Sequence, residues 1–432
     1  MTIMSKAVQP SHLRPCGWQA LLPAPTSRPE LQGDQVADLA IVGAGYTGVA
    51  VARTYHRLAP DRRIVMIDAE AAGEGSPGRN SGFMLEIALA NDASADQLAR
   101  MSTLNALSRG AMATLKAQVD EHAIDCQLQR TGTYRAARGD EGRRALARYR
   151  GFLEAAGLPH RRLEREQLDA ALGTRYYAEG IYSPDCYLVQ PAALIRGLVD
   201  ALPAAVACHE RSPALAVQRD NRAWRVSTPQ GSLRARQVVL ANNAFSRPLG
   251  ADASRLTAIY TYAALTAPLS PGLTAAIGAG PWGLLPTHRL GCTLRTTADG
   301  RLMIRAQYSY ERERDNAAVA AGLKSSLVAR YPELSAIEFE RVWGGTTGLT
   351  YNGAPLWGEV AENLFVSAGC NGGGIVKGTL LGEALAKLAL KQPVVDISGL
   401  FGKPSWMPPE PIRRLAFNAI RAHEQRKGRD EA

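Results

Sequence analysis

Residues 40–48 read AIVGAGYTG, and this stretch decides the fold class. The apolar run before Gly43 is typical of a parallel strand that is buried on both faces. Gly43 permits a tight turn, Gly45 lets the main chain approach a phosphate group, and Gly48 lets a helix pack closely on the strand. The stretch therefore predicts a strand, a glycine turn and a helix whose N-terminus faces an anionic ligand.

A second strand completes this unit. The helix is expected to end at Ala59-Pro60 because proline cannot continue it, and the apolar run 64–67 then leads into Asp68. Asp68 follows Gly48 by 20 residues (68 − 48), which is the spacing at which an acid accepts the hydroxyls of a ribose. Residues 40–70 thus predict a dinucleotide-binding βαβ unit.

Two further glycine clusters accompany the unit. The first reads GEGSPGRNSG over 73–82, and the second reads GCNGGG over 369–374, between an apolar strand at 364–368 and a helix over 375–390. Four glycines in six residues let the main chain come close to a ligand. A helix N-terminus at that place would stabilise the negative charge that a reduced flavin carries. A helix that merely begins after a glycine turn is the alternative interpretation.

Composition indicates a globular protein of one large domain or two. The chain has 432 residues, 46% apolar residues and a formal net charge of +10. Its basic residues are scattered and aromatic residues are scarce, so we expect no nucleic-acid partner. Six cysteines lie far apart without a CxxC pair, which predicts neither a metal site nor a disulfide framework and favours the reducing cytoplasm. The N-terminus has no basic region followed by an apolar core, so no signal peptide is expected.

Two segments raise the question of a membrane. Residues 256–287 lack charge, but their prolines and glycines exclude a spanning helix, and we predict a strand over 259–267 followed by an apolar loop. Residues 411–432 form a basic amphipathic helix. Such a tail is expected to pack on its own domain, with peripheral contact at the inner membrane as the alternative.

The remaining pattern alternates helices and strands. We predict helices over 94–121, 140–156, 191–202 and 308–331, and strands over 215–217, 224–226, 237–243 and 302–305.

Five segments, in this order, resemble the D-amino-acid oxidase family of FAD-dependent oxidoreductases. They are AIVGAGYTG (40–48), GSPGRNSG (75–82), VVLANNA (238–244), WGG (343–345, with Thr350 and Pro355 beyond it) and AGCNGGGI (368–375). The resemblance spans about residues 37–391 and is strongest to the gamma-glutamylputrescine oxidase and glycine-oxidase-like branch. It implies an α/β fold, in which a Rossmann-like FAD-binding domain of the glutathione-reductase/DAO type carries an inserted antiparallel-sheet substrate domain.

The resemblance also implies domain boundaries. Residues 1–36 would be an extended arm, and residues 393–432 a Pro-rich segment with a basic helix. The FAD-binding domain would comprise 37–90, 190–250 and 340–392, and the substrate domain 91–189 and 251–339.

The family's cofactor would be a non-covalent FAD, because Phe83 and Thr346 stand where a linking Cys or His is expected. The residues implied at the adenosine and pyrophosphate are Gly43, Gly45, Tyr46, Thr47, Gly48, Asp68, Ala69, Ala214, Ala241 and Asn242. Those implied along the pyrophosphate and flavin are Arg79, Asn80, Ser81, Gly82, Gly344, Gly345, Gly372, Gly373, Gly374 and Ile375. Gly373 replaces a common family histidine, which bears on the substrate and the turnover but not on FAD.

In this family an amine or amino acid loses a hydride from its alpha carbon to the flavin, and water hydrolyses the resulting imine. A carboxylate substrate needs an arginine fork, for which Arg305 and Arg295 are candidates. Tyr308, Tyr260 and Tyr262 are candidate hydroxyl donors, and His288 is a further polar candidate. Each also has an ordinary structural explanation as a solvated arginine or a packed tyrosine.

Other functions stay open at this point. A flavin protein that acts in binding or assembly would fit the loss of the histidine at position 373, and a nicotinamide-dependent dehydrogenase would fit the first glycine motif alone. The electron acceptor is expected to be dioxygen or a membrane quinone.

Overall fold

The computed structural model describes residue 9 and residues 11–87, 95–278 and 280–431. The rest of the predicted arm (1–8 and 10) and the predicted domain boundary at 90/91 lie outside the described residues. Nineteen strands occur within the described part of the chain: β1 Gly33–Val42, β2 Ile64–Ile67, β3 Phe83–Leu85, β4 Gln129–Arg130, β5 Thr133–Ala137, β6 Arg161–Glu164, β7 Glu179–Ser183, β8 Cys186–Leu188, β9 Val206–His209, β10 Ala216–Asp220, β11 Ala223–Thr228, β12 Gly231–Leu240, β13 Thr257–Thr266, β14 Gly283–Pro286, β15 Thr293–Thr296, β16 Leu302–Tyr310, β17 Phe339–Leu349, β18 Leu356–Ala361 and β19 Leu364–Ala368.

The described helices are α1 Gly17–Ala20, α2 Tyr46–Leu58, α3 Ser76–Arg79, α4 Ala95–Glu121, α5 Asp140–Ala155, α6 Arg165–Leu172, α7 Pro191–Asp200, α8 Pro271–Ala276, α9 Asn316–Arg330, α10 Val376–Ala389, α11 Ile397–Phe401 and α12 Ile412–Lys427, with 3₁₀ turns at Asn243–Leu249 and Pro332–Leu334. Within the described residues, no helix has both the length and the apolarity that crossing a membrane requires.

The first sheet has a parallel core of five strands in the order β9-β2-β1-β12-β19. The antiparallel strands β10 and β11 join β12 on the edge where β19 also pairs, and β18 pairs with β19. Leu39 and Ile41 of β1 pack into one apolar layer, while Ala40 and Val42 pack into the layer on the opposite face. A strand covered on both faces reads as a continuous apolar run, which is why the sequence pattern identified it.

The second sheet has the strand order β17-β13-β16-β15-β14-β5-β7-β6 and is antiparallel except for the β14–β5 pair. One of its faces, which includes Tyr262 and Ile304, packs on Leu323 of α9. The opposite face, which includes Met303 and Trp343, packs on Trp18 near the N-terminus. A third, small sheet has the order β3-β8-β4. The α/β fold with a Rossmann-like parallel core and a second, mainly antiparallel sheet is thus the predicted fold class.

A β-bulge in β16 corrects one prediction. The register pairs Thr261 with Tyr308 but Tyr262 with Ala306, so Gln307 is the extra residue, and it has a positive φ of 58°. The strand therefore continues to Tyr310, where a helix over 308–331 was predicted; the helix α9 begins only at Asn316. The bulge interrupts the alternation by which a strand is recognised in sequence.

Three other segments differ from prediction. The arm is not wholly extended, since it contains α1 with the fully buried Trp18, and β1 already begins at Gly33. The strand β17 belongs to the second sheet, although residues 340–392 were assigned to the FAD-binding domain. The uncharged loop after β13 contains α8 and β14.

Candidate active site

Three helices begin at one place, next to the ends of β1 and β2. Gly378 at the start of α10 lies so close to α2 that an added Cβ would be 3.0 Å from Oγ1 of Thr47. Gly45, which precedes α2, faces Pro77 of α3, where an added Cβ would be 2.9 Å from the ring. Neither α2 nor α10 has a side-chain N-cap. Their first N–H groups therefore stay available for an anionic ligand.

The turn after β1 requires glycine because of its backbone conformation and its close main-chain contacts. Gly43 has a φ of +108°, and an added Cβ would be 2.9 Å from the carbonyl carbon of Ala241. Gly48 packs so closely that an added Cβ would clash with the Gly43 carbonyl oxygen. Asn242, beside the same turn, has a buried Oδ1 that finds no hydrogen-bond partner in the part of the chain that the structure describes. An orphaned buried acceptor at a turn with free N–H donors is what a bound dinucleotide would satisfy.

Asp68 lies at the end of β2, as predicted, and also holds the glycine turn. Its Oδ2 accepts the N–H of Ala44 at 2.7 Å, and its Oδ1 accepts the N–H of Glu70 at 3.0 Å. Burial raises the pKa of Asp68, although these backbone donors oppose the shift. Each carboxylate oxygen has a second lone pair, so the group retains acceptor capacity for a ribose hydroxyl. Ser212 donates its N–H to the Asp68 carbonyl at 2.7 Å, which brings Ala214 and Ala69 to the same end of the site.

Arg79 and Asn80 hold the second glycine cluster in place. Arg79 donates to the carbonyl oxygens of Glu74 at 2.6 Å, of Arg14 at 3.1 Å and of Gly344 at 3.0 Å. Its guanidinium thus anchors three main-chain carbonyls and also lies 3.9 Å from the Glu74 carboxylate. The position of Arg79 along the pyrophosphate and flavin stays a prediction. Asn80 accepts the N–H of Gly82 at 2.8 Å.

Gly344 and Gly345 meet the same cluster from β17. An added Cβ at Gly345 would lie 3.3 Å from Cβ of Arg79. Residues 79–82 and 344–345 therefore form one continuous stretch of main chain, which we call the glycine-lined wall. Ser81 is part of it.

Two asparagines hold the C-terminal glycine loop. Asn243 accepts the N–H of Gly369 at 2.9 Å and donates to Sγ of Cys370 at 3.2 Å. Asn371 accepts the N–H of Thr350 at 3.0 Å. Around Gly372 no atom of the described residues lies within 4 Å of an added Cβ, and Gly372 and Gly373 are exposed. The loop therefore leaves open space before the N-terminus of α10, next to Gly374 and Ile375.

Sequence reasoning missed Asn243 as an anchor. The residue is part of the VVLANNA segment, and its φ of 51° is uncommon for a non-glycine residue. The doubled asparagine at the end of an apolar strand was the available signal.

Arg295 has a structural position. It is buried, and its Nη1 donates to the carbonyl oxygens of Val189 at 2.7 Å and Ser81 at 3.1 Å. Its guanidinium also lies 5.2 Å from the ring centroid of Trp18. Burial lowers the pKa of Arg295 to about 10, so it stays charged at neutral pH. This arginine positions the second glycine cluster, and its bonds differ from the free fork expected for a substrate carboxylate.

Arg305 and Tyr308 form the predicted polar pair. Nη1 of Arg305 donates to the Tyr308 hydroxyl at 3.1 Å, and the hydroxyl donates to the Arg289 carbonyl at 3.3 Å. Arg305 is half-buried, and no carboxylate within the described ranges pairs with it. The register places Arg305 opposite Thr293, two residues along β15 from Arg295. Because residues two apart share a face, Arg305 faces the same side of the sheet as Arg295.

His288 lies against the C-terminal segment. Its Nε2 is 3.0 Å from Oε2 of Glu424, and its Nδ1 accepts the N–H of Leu290 at 3.3 Å. An added Cβ at Gly428 would be 2.2 Å from Nδ1 of His288, so the two residues are in direct contact. The structure thus places His288 against the C-terminal segment, and its role at the substrate site stays a prediction.

Tyr260 and Tyr262 pack in the apolar layer on the α9 side of the second sheet. The Tyr262 hydroxyl bonds to Ser309 and accepts the N–H of Arg314, both at 2.6 Å. Both tyrosines therefore face away from Arg305. Among the described residues, no group of three or more His, Cys, Asp or Glu side chains has the arrangement of a metal site.

Comparison with known proteins defines the class to which this fold and site belong. The family model for DAO, FAD-dependent oxidoreductases, matches residues 38–388. The chain belongs to this family and is an FAD-dependent oxidoreductase.

Individual relatives agree. The chain is 28% identical over 387 residues to a probable oxidoreductase OrdL of Rhizobium meliloti, covering 86% of this chain and 87% of that protein. It is 27% identical to the glycine oxidase of Geobacillus kaustophilus, with 81% of this chain and 92% of that protein covered. It is 25% identical to the gamma-glutamylputrescine oxidoreductase of Escherichia coli, with 81% and 83% covered. The crystal structure of the Geobacillus kaustophilus glycine oxidase shares the fold with a TM-score of 0.74, covering 85% of this chain and 99% of that chain.

The cofactor is FAD, and the site fits it. The free N–H groups at the start of α2, the orphaned Oδ1 of Asn242 and the open space before α10 are the features that a dinucleotide with an anionic pyrophosphate would fill. The family match also removes the nicotinamide-dependent alternative.

Proposed function

We propose that this protein oxidises an amine or amino acid by removing a hydride from its alpha carbon. The products are an imine and, after hydrolysis, a carbonyl compound with ammonia or an amine. When bound, FAD supplies the hydride acceptor. The relatives named glycine oxidase and gamma-glutamylputrescine oxidoreductase support an amine or amino-acid substrate.

One observation carries the proposal for the substrate. Arg305 is a half-buried cation with no carboxylate partner among the described residues, and it lies on the same sheet face as Arg295, which bonds to Ser81 of the glycine-lined wall. Arg305 has planar N–H donors in a fork, and Tyr308 holds one of them. A carboxylate bound there would gain charge-assisted bonds without displacing an ion pair. We infer that Arg305 binds a substrate carboxylate and that Tyr308 orients the guanidinium, so the substrate class is an amino acid.

The FAD is proposed to be non-covalent. Phe83 and Thr346 stand in β3 and β17, where they offer neither thiol nor imidazole. Heat denaturation followed by filtration should release all the yellow colour from the protein.

We also propose a cytoplasmic enzyme whose electron acceptor is dioxygen or a membrane quinone. All six cysteines are free, which suits a reducing compartment. The rate at which air, or a soluble quinone in the absence of air, restores the flavin absorbance after reduction would distinguish the two acceptors.

The test of the substrate class uses matched pairs of ligands under anaerobic conditions. An amino acid that bleaches the flavin absorbance is compared with the amine that lacks only its carboxylate. In Arg305→Met, the concentration needed for half-maximal reduction by the amino acid should rise about 30-fold or more, because a bond to a charged group is lost. The value for the amine should not change.

Two further variants sharpen this test. Tyr308→Phe keeps the charge and should lose much less, and Arg222→Met removes an exposed arginine from the turn between β10 and β11 as a control. Equal losses for both ligands in Arg305→Met would contradict carboxylate binding by Arg305.

The second candidate function is that of a flavin protein without catalytic activity that acts in binding or assembly. It is suggested by the glycine at position 373, where the family commonly has a histidine. Gly373 is exposed, and the nearest atom to an added Cβ is 3.8 Å away. The missing histidine therefore has no steric explanation. Failure of every amine and amino acid to bleach the flavin would favour this candidate.

A further inference from the structure

The C-terminal helix α12 lies on the rest of the protein through one face only. Arg413 donates to the carbonyl oxygens of Ala253 at 3.0 Å and Leu256 at 3.3 Å. Arg421 donates to the Tyr308 carbonyl at 3.4 Å, and Glu424 pairs with His288. These contact residues are spaced at helical intervals, so they define the inward face of α12.

The opposite face of α12 is mainly apolar and carries one cation, Arg426. Leu415 is 65% exposed and Ile412 is 56% exposed. Ala419, Ala422 and Arg426 continue the same exposed line at intervals of three or four residues. Glu424 is the one acid within residues 412–427, and it faces inward. The outward face therefore carries no negative charge.

Trp406 extends this surface beyond the helix. Its side chain is 60% exposed. Its neighbour Met407 donates its N–H to the Ser254 carbonyl at 2.7 Å, and Arg413 is bonded to the carbonyl of Ala253. Met407 and Arg413, the chain neighbours of Trp406 and Ile412, thus contact the same short loop at 253–256. We call the surface formed by Trp406, Ile412, Leu415, Ala419, Ala422 and Arg426 the C-terminal face.

Charge decides which partner fits the C-terminal face. In a symmetric dimer formed through this face, the second copy would present the same face, which has no acid to pair with Arg426. A nucleic acid could stack a base on Trp406, but it would offer no apolar layer that buries Ile412 and Leu415. An anionic bilayer satisfies both components, because its headgroups attract arginine and its acyl boundary accepts apolar side chains.

We propose that the C-terminal face is a docking surface for the headgroup region of an anionic lipid bilayer. Docking would lay α12 in the plane of the membrane surface. Docking through this outward face would leave the glycine-lined wall and Arg305 unchanged. This proposal therefore goes beyond the proposed reaction, and it can be tested independently of it.

The test is co-sedimentation of the FAD-loaded protein with vesicles. Binding is expected for vesicles that contain phosphatidylglycerol at low ionic strength and should weaken at high ionic strength, because salt screens surface charges. Vesicles of phosphatidylcholine alone should bind far less. Leu415→Ser should weaken binding about tenfold through lost apolar burial, and Arg426→Gln about fivefold.

Matched controls remove an equivalent side chain elsewhere. Leu215, which directly precedes β10, is 47% exposed, and Arg222 is exposed in the turn that follows β10. Both lie about 200 residues before α12 in the sequence. Leu215→Ser and Arg222→Gln should bind vesicles like the unmodified protein. Flavin content and anaerobic reduction are measured on every variant, and these should not change whether or not docking occurs.

Three results would overturn the proposal. They are the absence of sedimentation with phosphatidylglycerol vesicles at low ionic strength, equal losses in Leu415→Ser and Leu215→Ser, and a protein dimer that Leu415→Ser dissociates.

Discussion

Arg295 and Arg305 carry the same charge on the same face of the second sheet, but their partners give them different roles. The Arg295 side chain donates to three main-chain carbonyls, those of Ser81, Val189 and Thr296, and it packs on the ring of Trp18. The Arg305 side chain donates to the Tyr308 hydroxyl, and it has no carboxylate partner among the described residues. The two arginines have different partners because Arg305 of β16 pairs with Thr293, two residues before Arg295 on β15. This difference makes Arg305 the candidate for binding an anion.

At the same scale, the glycine turn makes a prediction about cofactor retention. Gly43→Ala places a side chain at a φ of +108°, against the carbonyl carbon of Ala241. A non-glycine residue in such a conformation costs about 1–3 kcal/mol, and moving the turn would misplace the N–H groups of α2. We expect a lower ratio of FAD to protein, measured by absorbance after gel filtration, and a lower Tm.

Gly151→Ala is the matched control. Gly151 lies inside α5, and no atom lies within 4 Å of an added Cβ. Alanine there should stabilise the protein by about 0.5–1 kcal/mol and leave the FAD content unchanged. Full FAD content in Gly43→Ala would show that the turn is not part of the site.

At the scale of elements, Glu311 joins the 3₁₀ turn after β12 to the second sheet. Its oxygens accept from Arg247 at 2.7 and 2.8 Å, from the Thr257 hydroxyl at 2.6 Å and from the N–H of Ala258 at 2.9 Å. Burial acts to raise the pKa of Glu311, but Arg247 and the hydrogen bonds outweigh it, so the pKa is lowered. The charged carboxylate is therefore the form that the fold stabilises.

Glu311→Gln should destabilise the protein by about 2–3 kcal/mol, because Arg247 would lose its partner in a largely buried place. Since the pKa is lower in the folded state, this contribution is complete above the ordinary value near 4.5 and is lost as the pH falls through the folded-state pKa. Urea unfolding at neutral and acidic pH measures both effects. The variant and the unmodified protein should converge at acidic pH.

The control for this prediction is an exposed ion pair. Arg219 and Glu362 lie at the surface, with 37% and 76% of their side chains exposed. Glu362→Gln should change the free energy of unfolding by less than about 1 kcal/mol. A loss in Glu311→Gln no larger than this would contradict the role given to Glu311.

Elements differ in how readily their sequence predicts them. The strands at 64–67 and 364–368 agree with prediction to the residue, because both are short apolar runs with buried faces. In contrast, β1 begins at Gly33, six residues before its apolar run, since its first half pairs with β12 through polar residues. The end of β16 was predicted as helix because the bulge at Gln307 breaks its alternation.

For the whole molecule, the fold class and the cofactor could be predicted because their signals are local. A glycine at a fixed position in a turn, or an apolar strand, depends on few neighbours. The structural roles of Arg295, His288 and Arg79 depend on contacts with Val189, Glu424 and Gly344. These partners lie 106, 136 and 265 positions away in the chain, respectively. No local pattern records such contacts, so the candidates for the substrate site could be proposed from sequence but not ranked.

The most direct measurement is an anaerobic titration of the FAD-loaded protein with a panel of amines and amino acids, followed by flavin absorbance. We expect that at least one amino acid bleaches the absorbance, and that Arg305→Met weakens its effect but not that of the matching amine. A purified protein that retains FAD, yet is bleached by no amine or amino acid in the panel, would contradict the central claim.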